Sequence, residues 1–401
     1  MNDNKNLKNY YRKSSFVLKI TRYVVTLLFI FFIIFTILLF GKDVTIENVQ
    51  LLSKFISIND GSSLFYTDEF TVTASDDSES FMLRDNLGIV NGNNFSLYYL
   101  SGQKLFSYDL SYAFPAVLFN EHNILIYDIG GNKASIYNSF SKIKSFDFDF
   151  PIINAYITKD HLAFVTADDS NKSVITVYEY VSSKNNYIEV YKYFSSENYV
   201  TSVSLSSSGE HLLVTSADSL GGSFNCSVSV FDIYSDSSTP IHSSKISDEL
   251  VLSASFTNKS EIYVITDSGI IFYNSSLEEI NKFTFNQSKT SSYFVNDDMI
   301  MVTERNNLSG NSMLLNGIDF SGNVLFSINA DDEIHDISFG KDKFFALGED
   351  GVYEYSADKD EGFKRSGVYL SNTRFNSIVT DTDNNCYVVG NSYVKRITFE
   401  D

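Results

Sequence analysis

The residue types best suited to binding a ligand lie near the end of the chain, in the stretch Asp381-Thr382-Asp383-Asn384-Asn385. Asp381, Asp383 and Asn385 supply side-chain oxygens, which are the ligands that calcium prefers. Asp and Asn are also ordinary turn formers between strands. The sequence therefore predicts either a calcium loop with these three residues as ligands or a plain turn. Two other acidic clusters carry similar oxygens, Asp168-Asp169 and Asp331-Asp332-Glu333.

Short motifs of known catalytic chemistry are absent from the sequence. It contains no H-E-x-x-H, G-x-S-x-G, G-x-x-x-x-G-K-[ST] or C-x-x-C motif and no dinucleotide-binding fingerprint. It also contains no tryptophan, which forms part of the repeats in quinone-dependent and sialidase propellers. We therefore name no catalytic or cofactor-binding residue, expect no cofactor, and favour a non-enzymatic role. An enzyme whose site is assembled from several loops stays open.

Charge is divided unevenly along the chain. The formal net charge of the 401 residues is −20, yet residues 1–22 contain six basic residues and one acid, a balance of +5. Everything after residue 22 therefore carries −25. Because an acidic surface repels a phosphate backbone, we expect no nucleic-acid partner.

An apolar run without charged residues follows the basic tail, from residue 23 to residue 41. It is close to the ~20 residues that a helix needs to cross a bilayer. A cleaved secretory signal is the alternative, but its apolar core has about 7 to 15 residues and a small-residue cleavage site follows it. We therefore expect a retained signal anchor. The positive-inside rule places residues 1–22 in the cytoplasm and residues 42–401 outside a cell membrane that the chain crosses once.

The segment after the span, residues 42–63, is expected to be a juxtamembrane linker with a short helix. Its apolar residues recur at spacings of three and four, at Ile46, Val49, Leu52 and Ile56. The pattern is too short for a coiled coil, so a spacer is favoured over a dimerising helix. The remaining residues, 64–401, form the predicted ectodomain.

Periodicity after residue 64 is that of an all-β protein, because short apolar runs alternate with polar turn clusters. HLAFVTADDS from His161 and HLLVTSADSL from His211 form the clearest repeat. A period of about 40 residues with four short strands predicts a β-propeller. Eight blades are favoured, and seven are the alternative because the first unit matches least well. The other repeats of the apolar strand begin at Leu87, Asn123, Glu261, Met299, Lys343 and Cys386.

The last repeat has only three visible strands, so a fourth must come from elsewhere in the chain. The segment Leu64 to Val72 places Leu64, Tyr66, Phe70 and Val72 on one face of an alternating pattern and precedes the first complete blade. We predict that it pairs with the segment Tyr393 to Phe399 and closes the ring, because an open ring would leave an unpaired edge. A closed ring needs no partner to cover its edges, so we expect a monomeric propeller.

Histidines and cysteines can be judged against this architecture. His122, His161 and His211 occupy equivalent turns of successive blades. Such turns are rotated about the ring axis, which favours repeated turn residues over a metal site. Cys226 and Cys386 belong to the fourth and eighth blades. Opposite sides of a ring are farther apart than the ~7 Å limit for a disulfide, so two buried thiols are predicted.

The order of a basic tail, one span, the segment Ile46-Glu47-Asn48 and a glycine at Gly61, followed by NFSLYYLSGQKLFSYDL, a proline and ILIYDIGGNKASIYN, resembles the family numbered 5711 among domains of unknown function. The most specific elements are Tyr127-Asp128-Ile129-Gly130-Gly131 and Ser101-Gly102-Gln103. The resemblance implies a bacterial cell-surface propeller and supplies no site.

Together these observations predict a membrane-anchored, extracytoplasmic β-propeller that binds a protein or a cell-envelope glycan as a scaffold. The alternative is a propeller hydrolase or lyase acting on envelope or exogenous glycans. An enzyme should show convergent carboxylates, or a histidine and a carboxylate together, in the central funnel. A scaffold should show an exposed aromatic patch.

Overall fold

The computed structural model describes residues 19, 21–32, 67–184, 186–220, 223–235, 237–286, 290–305, 312–358, 362–369 and 375–399. The chain divides into two compact units, Met1–Ser63 and Leu64–Asp401. The predicted juxtamembrane helix and most of the basic tail lie outside the described residues.

Residues 21–32 form a helix. Its apolar side chains are exposed all round, from 50 % for Val24 to 69 % for Leu27. Within the described ranges no helix is both long enough and apolar enough to cross a membrane. The predicted span, residues 23–41, is therefore not confirmed, and its second half lies outside the described residues.

The second unit is an eight-bladed β-propeller, and each blade is a four-stranded antiparallel sheet. In each of the first seven blades the strands follow chain order. First strands of neighbouring blades contact one another, as that of the third blade does with that of the fourth and that of the seventh with that of the eighth. The first four blades consist of β2 (Glu79–Leu83), β3 (Asn86–Asn91), β4 (Asn94–Tyr99), β5 (Lys104–Asp109); β6 (Pro115–Phe119), β7 (Asn123–Asp128), β8 (Lys133–Asn138), β9 (Lys142–Asp147); β10 (Ile152–Ile157), β11 (His161–Thr166), β12 (Ser173–Val181), β13 (Asn186–Ser195); β14 (Tyr199–Leu205), β15 (His211–Leu220), β16 (Ser223–Asp232), β17 (His242–Ser247).

A single 3-10 turn, Ser182–Lys184, interrupts the strands of the described propeller. The other four blades consist of β18 (Val251–Phe256), β19 (Ile262–Thr266), β20 (Gly269–Tyr273), β21 (Glu279–Thr284); β22 (Thr290–Val295), β23 (Met299–Arg305), β24 (Met313–Asp319), β25 (Val324–Ala330); β26 (Ile334–Phe339), β27 (Lys343–Gly348), β28 (Gly351–Asp358), β29 (Gly362–Tyr369); and β30 (Phe375–Thr380), β31 (Cys386–Gly390), β32 (Tyr393–Ile397), β1 (Glu69–Thr71).

The eight repeats found in the sequence are the second strands of the eight blades. These strands are apolar along most of their length because neighbouring blades cover both faces of each sheet. All six residues of β11 are buried, for example, whereas the outermost strand β5 has no buried residue. A separate apolar cluster fills each of the eight interfaces between successive blades. The eight-blade prediction is confirmed and the seven-blade alternative is wrong.

Strand β1 closes the ring, as predicted. It pairs antiparallel with β32, joining Glu69 to Lys395 and Thr71 to Tyr393 in register. The strand is shorter than the predicted segment, although the amide N–H of Val72 continues the pairing by donating to the carbonyl oxygen of Ser392 at 3.0 Å. Leu64 and Tyr66 lie outside the described residues.

The closing strand also packs into the apolar cluster between the eighth and first blades. Phe70 and Val72 are buried there against Leu87, Tyr98 and other residues. Phe70 lies so close to Gly102 that a Cβ at this glycine would be 2.6 Å from the Cβ of Phe70. Gly102 also has a φ of +85°, so two constraints require glycine in this turn.

Antiparallel pairing gives the propeller two distinct faces. We call the top face the one that carries the loops joining successive blades and the loops between second and third strands. The bottom face carries the other two sets of turns. Each first strand therefore starts at the top face and ends at the bottom face.

Removal of the closing strand should destabilise the whole ring. A variant starting at Phe81 lacks β1, and this exposes apolar surface and leaves backbone groups of β32 unpaired, at about 1 to 3 kcal/mol for each buried group. A folded domain has about 5 to 15 kcal/mol of stability to lose. We expect this variant to melt well below a variant starting at Asp60, which should fold as a β-rich monomer. Equal melting temperatures, measured by circular dichroism, would contradict the closing role of β1.

Candidate binding face and central channel

The predicted calcium ligands lie in the turn between β30 and β31. Asp381 is buried, and its Oδ1 accepts hydrogen bonds from the backbone N–H groups of Asp383 (3.0 Å) and Asn385 (2.8 Å). Its Oδ2 accepts from Asn385 Nδ2 at 2.8 Å, and Asn385 Oδ1 accepts from Arg396. These oxygens thus form the hydrogen bonds of a tight turn. Calcium binding at this turn stays a prediction.

The predicted histidines lie on the bottom face and form no cluster. His122 is hydrogen-bonded to Arg84, whereas His161 Nε2 lies 3.1 Å from the hydroxyl of Tyr234, which in turn donates to Glu179. Desolvation lowers the pKa of both His122 and His161. Over the described part of the chain, no group of three or more His, Cys, Asp or Glu residues could hold a metal ion.

Both cysteines are free and buried, as predicted. They lie in strands β16 and β31, which belong to the fourth and eighth blades. Desolvation raises the pKa of the Cys386 thiol, so this sulfur stays protonated and is not a nucleophile at neutral pH.

A cavity of about 570 Å³ occupies part of the central channel, along the first strands of the second to sixth blades. Neutral polar groups dominate its wall. The hydroxyl of Tyr156 lies 3.1 Å from Ser255 Oγ, which lies 3.0 Å from Ser204 Oγ. Other residues that line the cavity include Phe119, Asn154, Ser202, Ser253 and Asn258.

Two carboxyl groups on first strands bridge neighbouring blades. Asp336 in β26 accepts hydrogen bonds from the backbone N–H of Ile378 in the next blade (2.9 Å) and from that of Ile337 (2.8 Å). Burial raises the pKa of Asp336 to about 6. Glu79 in β2 accepts similarly from the backbone of Val117, and desolvation raises its pKa also.

These carboxyl groups do not form the convergent pair that an enzyme requires. Each bonds to backbone N–H groups, and in the described residues neither Asp336 nor Glu79 is hydrogen-bonded to a histidine or to another carboxyl group. Both carboxyl groups therefore serve to join neighbouring blades through backbone hydrogen bonds. Neither Glu79 nor Asp336 was predicted as a site residue from the sequence. The signal that could have indicated them is an acidic residue within the short first strand of a blade.

The top face carries a set of exposed apolar side chains at or just before the starts of first strands. Among the described residues at these positions, they occur on the second to fifth blades only. We call this set the apolar arc. Phe114 is 71 % exposed, Tyr199 58 % and Leu252 48 %. The blades that carry the arc are consecutive, because β10 contacts β14 and β14 contacts β18. The full set is Phe114, Ile153, Tyr199, Leu250 and Leu252.

Two structural devices turn these side chains outward. Ile153 and Leu252 are the extra residues of β-bulges in β10 and β18, and a bulge re-aims a side chain. Phe114 and Leu250 lie in loops that carboxylates hold in place. The Oδ1 atom of Asp128 accepts from the backbone N–H of Phe114 at 2.7 Å.

The second carboxylate acts in the same way in the fifth blade. Asp267 Oδ1 accepts from the backbone N–H of Leu250 at 3.0 Å. Asp128 also accepts from the backbone of Ala113 at 2.9 Å, and it lies against Gly131, where a Cβ would be 2.0 Å from its Oδ2. The motif Tyr127 to Gly131, quoted above for its resemblance, thus fixes the loop that presents Phe114.

On the opposite side of the ring the top face is polar. In the seventh blade Asp331 pairs with Arg365 at 2.9 Å, and Glu333 pairs with Arg305. His335, which occupies the same bulge position as Ile153 and Leu252, is exposed and polar. The top face is therefore asymmetric, with an apolar side and a side of paired charges.

Comparison with known protein families gives a match over most of the chain. A family model described as "Family of unknown function (DUF5711)" matches residues 62–399. No curated protein matches the sequence significantly.

Solved propellers resemble the chain in fold. Saccharomyces cerevisiae Sqt1 is 12 % identical with a TM-score of 0.57, over 83 % of this chain and 100 % of its own. Chaetomium thermophilum Sqt1, solved bound to the N-terminus of the ribosomal protein L10, gives 12 % identity and 0.54 over 82 % and 98 %. BamB from Moraxella catarrhalis gives 11 % and 0.50 over 84 % and 98 %.

Replacement of Asp336 should change how stability depends on pH. Its pKa is raised in the folded state, so between about pH 4 and 6 the folded protein holds a proton that the unfolded chain has released. The free energy of unfolding therefore falls as the pH rises through this window. The variant Asp336→Asn lacks this titrating group and does not lose stability in this way as the pH rises. The melting temperature of the variant minus that of the wild type should therefore increase from pH 4 to pH 7.

Scanning calorimetry at several pH values measures this difference. Asp298→Asn, in an exposed turn of the bottom face, is the matched control and should show no such trend. A melting-temperature difference for Asp336→Asn that does not change with pH would contradict the assignment.

Proposed function

The chain belongs to the DUF5711 family of unknown function, and we propose that its propeller is a protein-binding module held at the outer side of a bacterial cell membrane. The observation that carries this proposal is the apolar arc. Large exposed apolar surfaces on soluble domains commonly mark binding sites for other proteins. Aromatic side chains such as Phe114 and Tyr199 are also the residue types that anchor protein interfaces.

The rigidity of the arc supports the same role. Its side chains start first strands or lie in loops fixed by Asp128 and Asp267, so little conformational entropy is lost when a partner binds. An arc held in this way resembles a preformed interface more than a flexible loop region.

Structural neighbours agree with a binding role. Chaetomium thermophilum Sqt1 holds the N-terminus of another protein, the ribosomal protein L10, on a propeller of similar fold. We infer that this chain uses its propeller in a comparable way, as a platform for a segment of another protein.

Membrane anchoring is the second part of the proposal. The helix over residues 21–32 exposes Val24, Phe29 and other apolar side chains all round, and a helix that is apolar all round suits lipid. Thr26 Oγ1 donates to the carbonyl oxygen of Arg22 at 2.8 Å, so its hydroxyl needs no water. The charge-free sequence continues to residue 41, and the basic residues before it favour a cytoplasmic N-terminus.

The alternative function is a hydrolase or lyase acting on glycans. The raised pKa values of Glu79 and Asp336 on first strands are the observation in its favour. Because both carboxyl groups bond to backbone N–H groups instead of facing each other, we place this alternative second.

Protease accessibility tests the proposed topology. In intact cells without their wall, added protease should digest the chain from residue 42 onward and spare the basic tail, because residues 1–22 lie behind the membrane. Epitope tags at the two ends report which part survives on immunoblots. Survival of the propeller in intact cells, with digestion only after lysis, would overturn the orientation.

Site-specific photocross-linking in intact cells tests the binding face. A benzophenone amino acid at Phe114 or Leu252 should give discrete products with another protein, to be identified by mass spectrometry. Ile280 and Val324 are matched controls, because they are apolar and similarly exposed, at 48 % and 49 %, but lie on outermost strands. Cross-linked products at the control positions alone, or at none of the four positions, would contradict a binding role for the apolar arc.

A further inference from the structure

We propose that the apolar arc receives a basic segment of its protein partner, in which lysine or arginine residues alternate with apolar ones. This inference rests on the proposed function and adds the chemistry of the partner. It follows from the charges that surround the arc on the top face.

Exposed carboxylates alternate with the side chains of the arc. They lie in the loops that join the second to fifth blades and in the loop between β11 and β12, so they surround Ile153, Tyr199 and Leu252. The four residues are Asp149, Asp169, Glu197 and Asp248, all exposed.

Among the described residues, none of these four carboxylates forms an ion pair with a basic side chain. In the described propeller, the ion pairs join Glu249 to Lys282, Glu333 to Arg305, Glu354 to Lys343 and Asp331 to Arg365, and none includes one of the four. On the polar side of the top face, by contrast, arginines pair with the acids. Four exposed carboxylates outside these ion pairs therefore lie beside the apolar surface, and a positively charged partner would complement them.

Two lysines of the chain show which groups of this surface bind an ammonium group. Lys172 Nζ lies 4.9 Å from the ring centre of Tyr199 and donates to the carbonyl oxygen of Glu197. Lys192 Nζ lies 5.7 Å from the ring centre of Phe194, which is 54 % exposed beside the arc. Rings and carboxylates together make a surface that suits ammonium and guanidinium groups.

A peptide-binding measurement tests the inference. The full-length protein in dodecyl maltoside micelles is titrated against a fluorescein-labelled peptide of alternating lysine and leucine, and anisotropy reports binding. Empty micelles give the background. A peptide with glutamate in place of lysine should not bind, and a peptide with serine in place of leucine should bind more weakly.

Two charge variants give the matched comparison. The top-face variant, Asp149→Asn, Asp169→Asn, Glu197→Gln and Asp248→Asn, should bind the lysine peptide about tenfold more weakly and with less dependence on salt. Asn tolerates the φ of +62° at position 248, so the fold should be kept. The bottom-face variant loses the same number of exposed acids and should stay within about twofold of the wild type; it is Glu121→Gln, Asp160→Asn, Asp298→Asn and Asp342→Asn.

The outcomes separate this inference from the proposed function. Equal weakening in both charge variants, or equal binding of the glutamate peptide, would overturn the basic partner. If photocross-links at Phe114 then persist unchanged in the top-face variant, the protein-binding face stands and only its charge preference is wrong. If the wild type gives no cross-link at Phe114, the proposed function itself is wrong.

Discussion

The structure depends on covering both faces of every blade. A four-stranded sheet with apolar second and third strands is stable in water only when another sheet lies against each side, and each of the eight blades obtains this cover from its two neighbours. Every blade is covered on both faces only when the ring is closed. The short pairing of β1 with β32 therefore supports the packing of all eight blades. Because the core lies between the blades of the closed ring, the top face can expose apolar side chains that the core does not need.

The sequence predicted the parts of the fold that this constraint dictates. Second strands such as His161–Thr166 must be apolar on both sides, and this made the repeat visible and gave the number of blades. The fourth strand of the last blade could be located because a ring must close. The bounds of β1 could not be predicted, because the alternating pattern of the segment does not show which of its residues pair with β32.

The candidate site was far less predictable. A β-bulge changes the direction of one side chain without changing its residue type, so the exposure of Ile153 and Leu252 leaves no pattern in the sequence. Asp128 was singled out within a motif, but its role appears only when the loop before β6 folds back onto it. At Asp381 the sequence left a calcium loop and a plain turn open; its oxygens accept the hydrogen bonds of a tight turn, and calcium binding there stays a prediction.

The position of the closing strand also has a mechanical consequence. The strand β1 precedes every complete blade in the chain, so tension applied from the N-terminal side reaches the pairing of β1 with β32 before any complete blade. The seam then carries the load, and the remaining strands are protected until it separates. If the N-terminal unit is fixed in a membrane while a partner pulls on the top face, the ring would fail first at its seam and release the load.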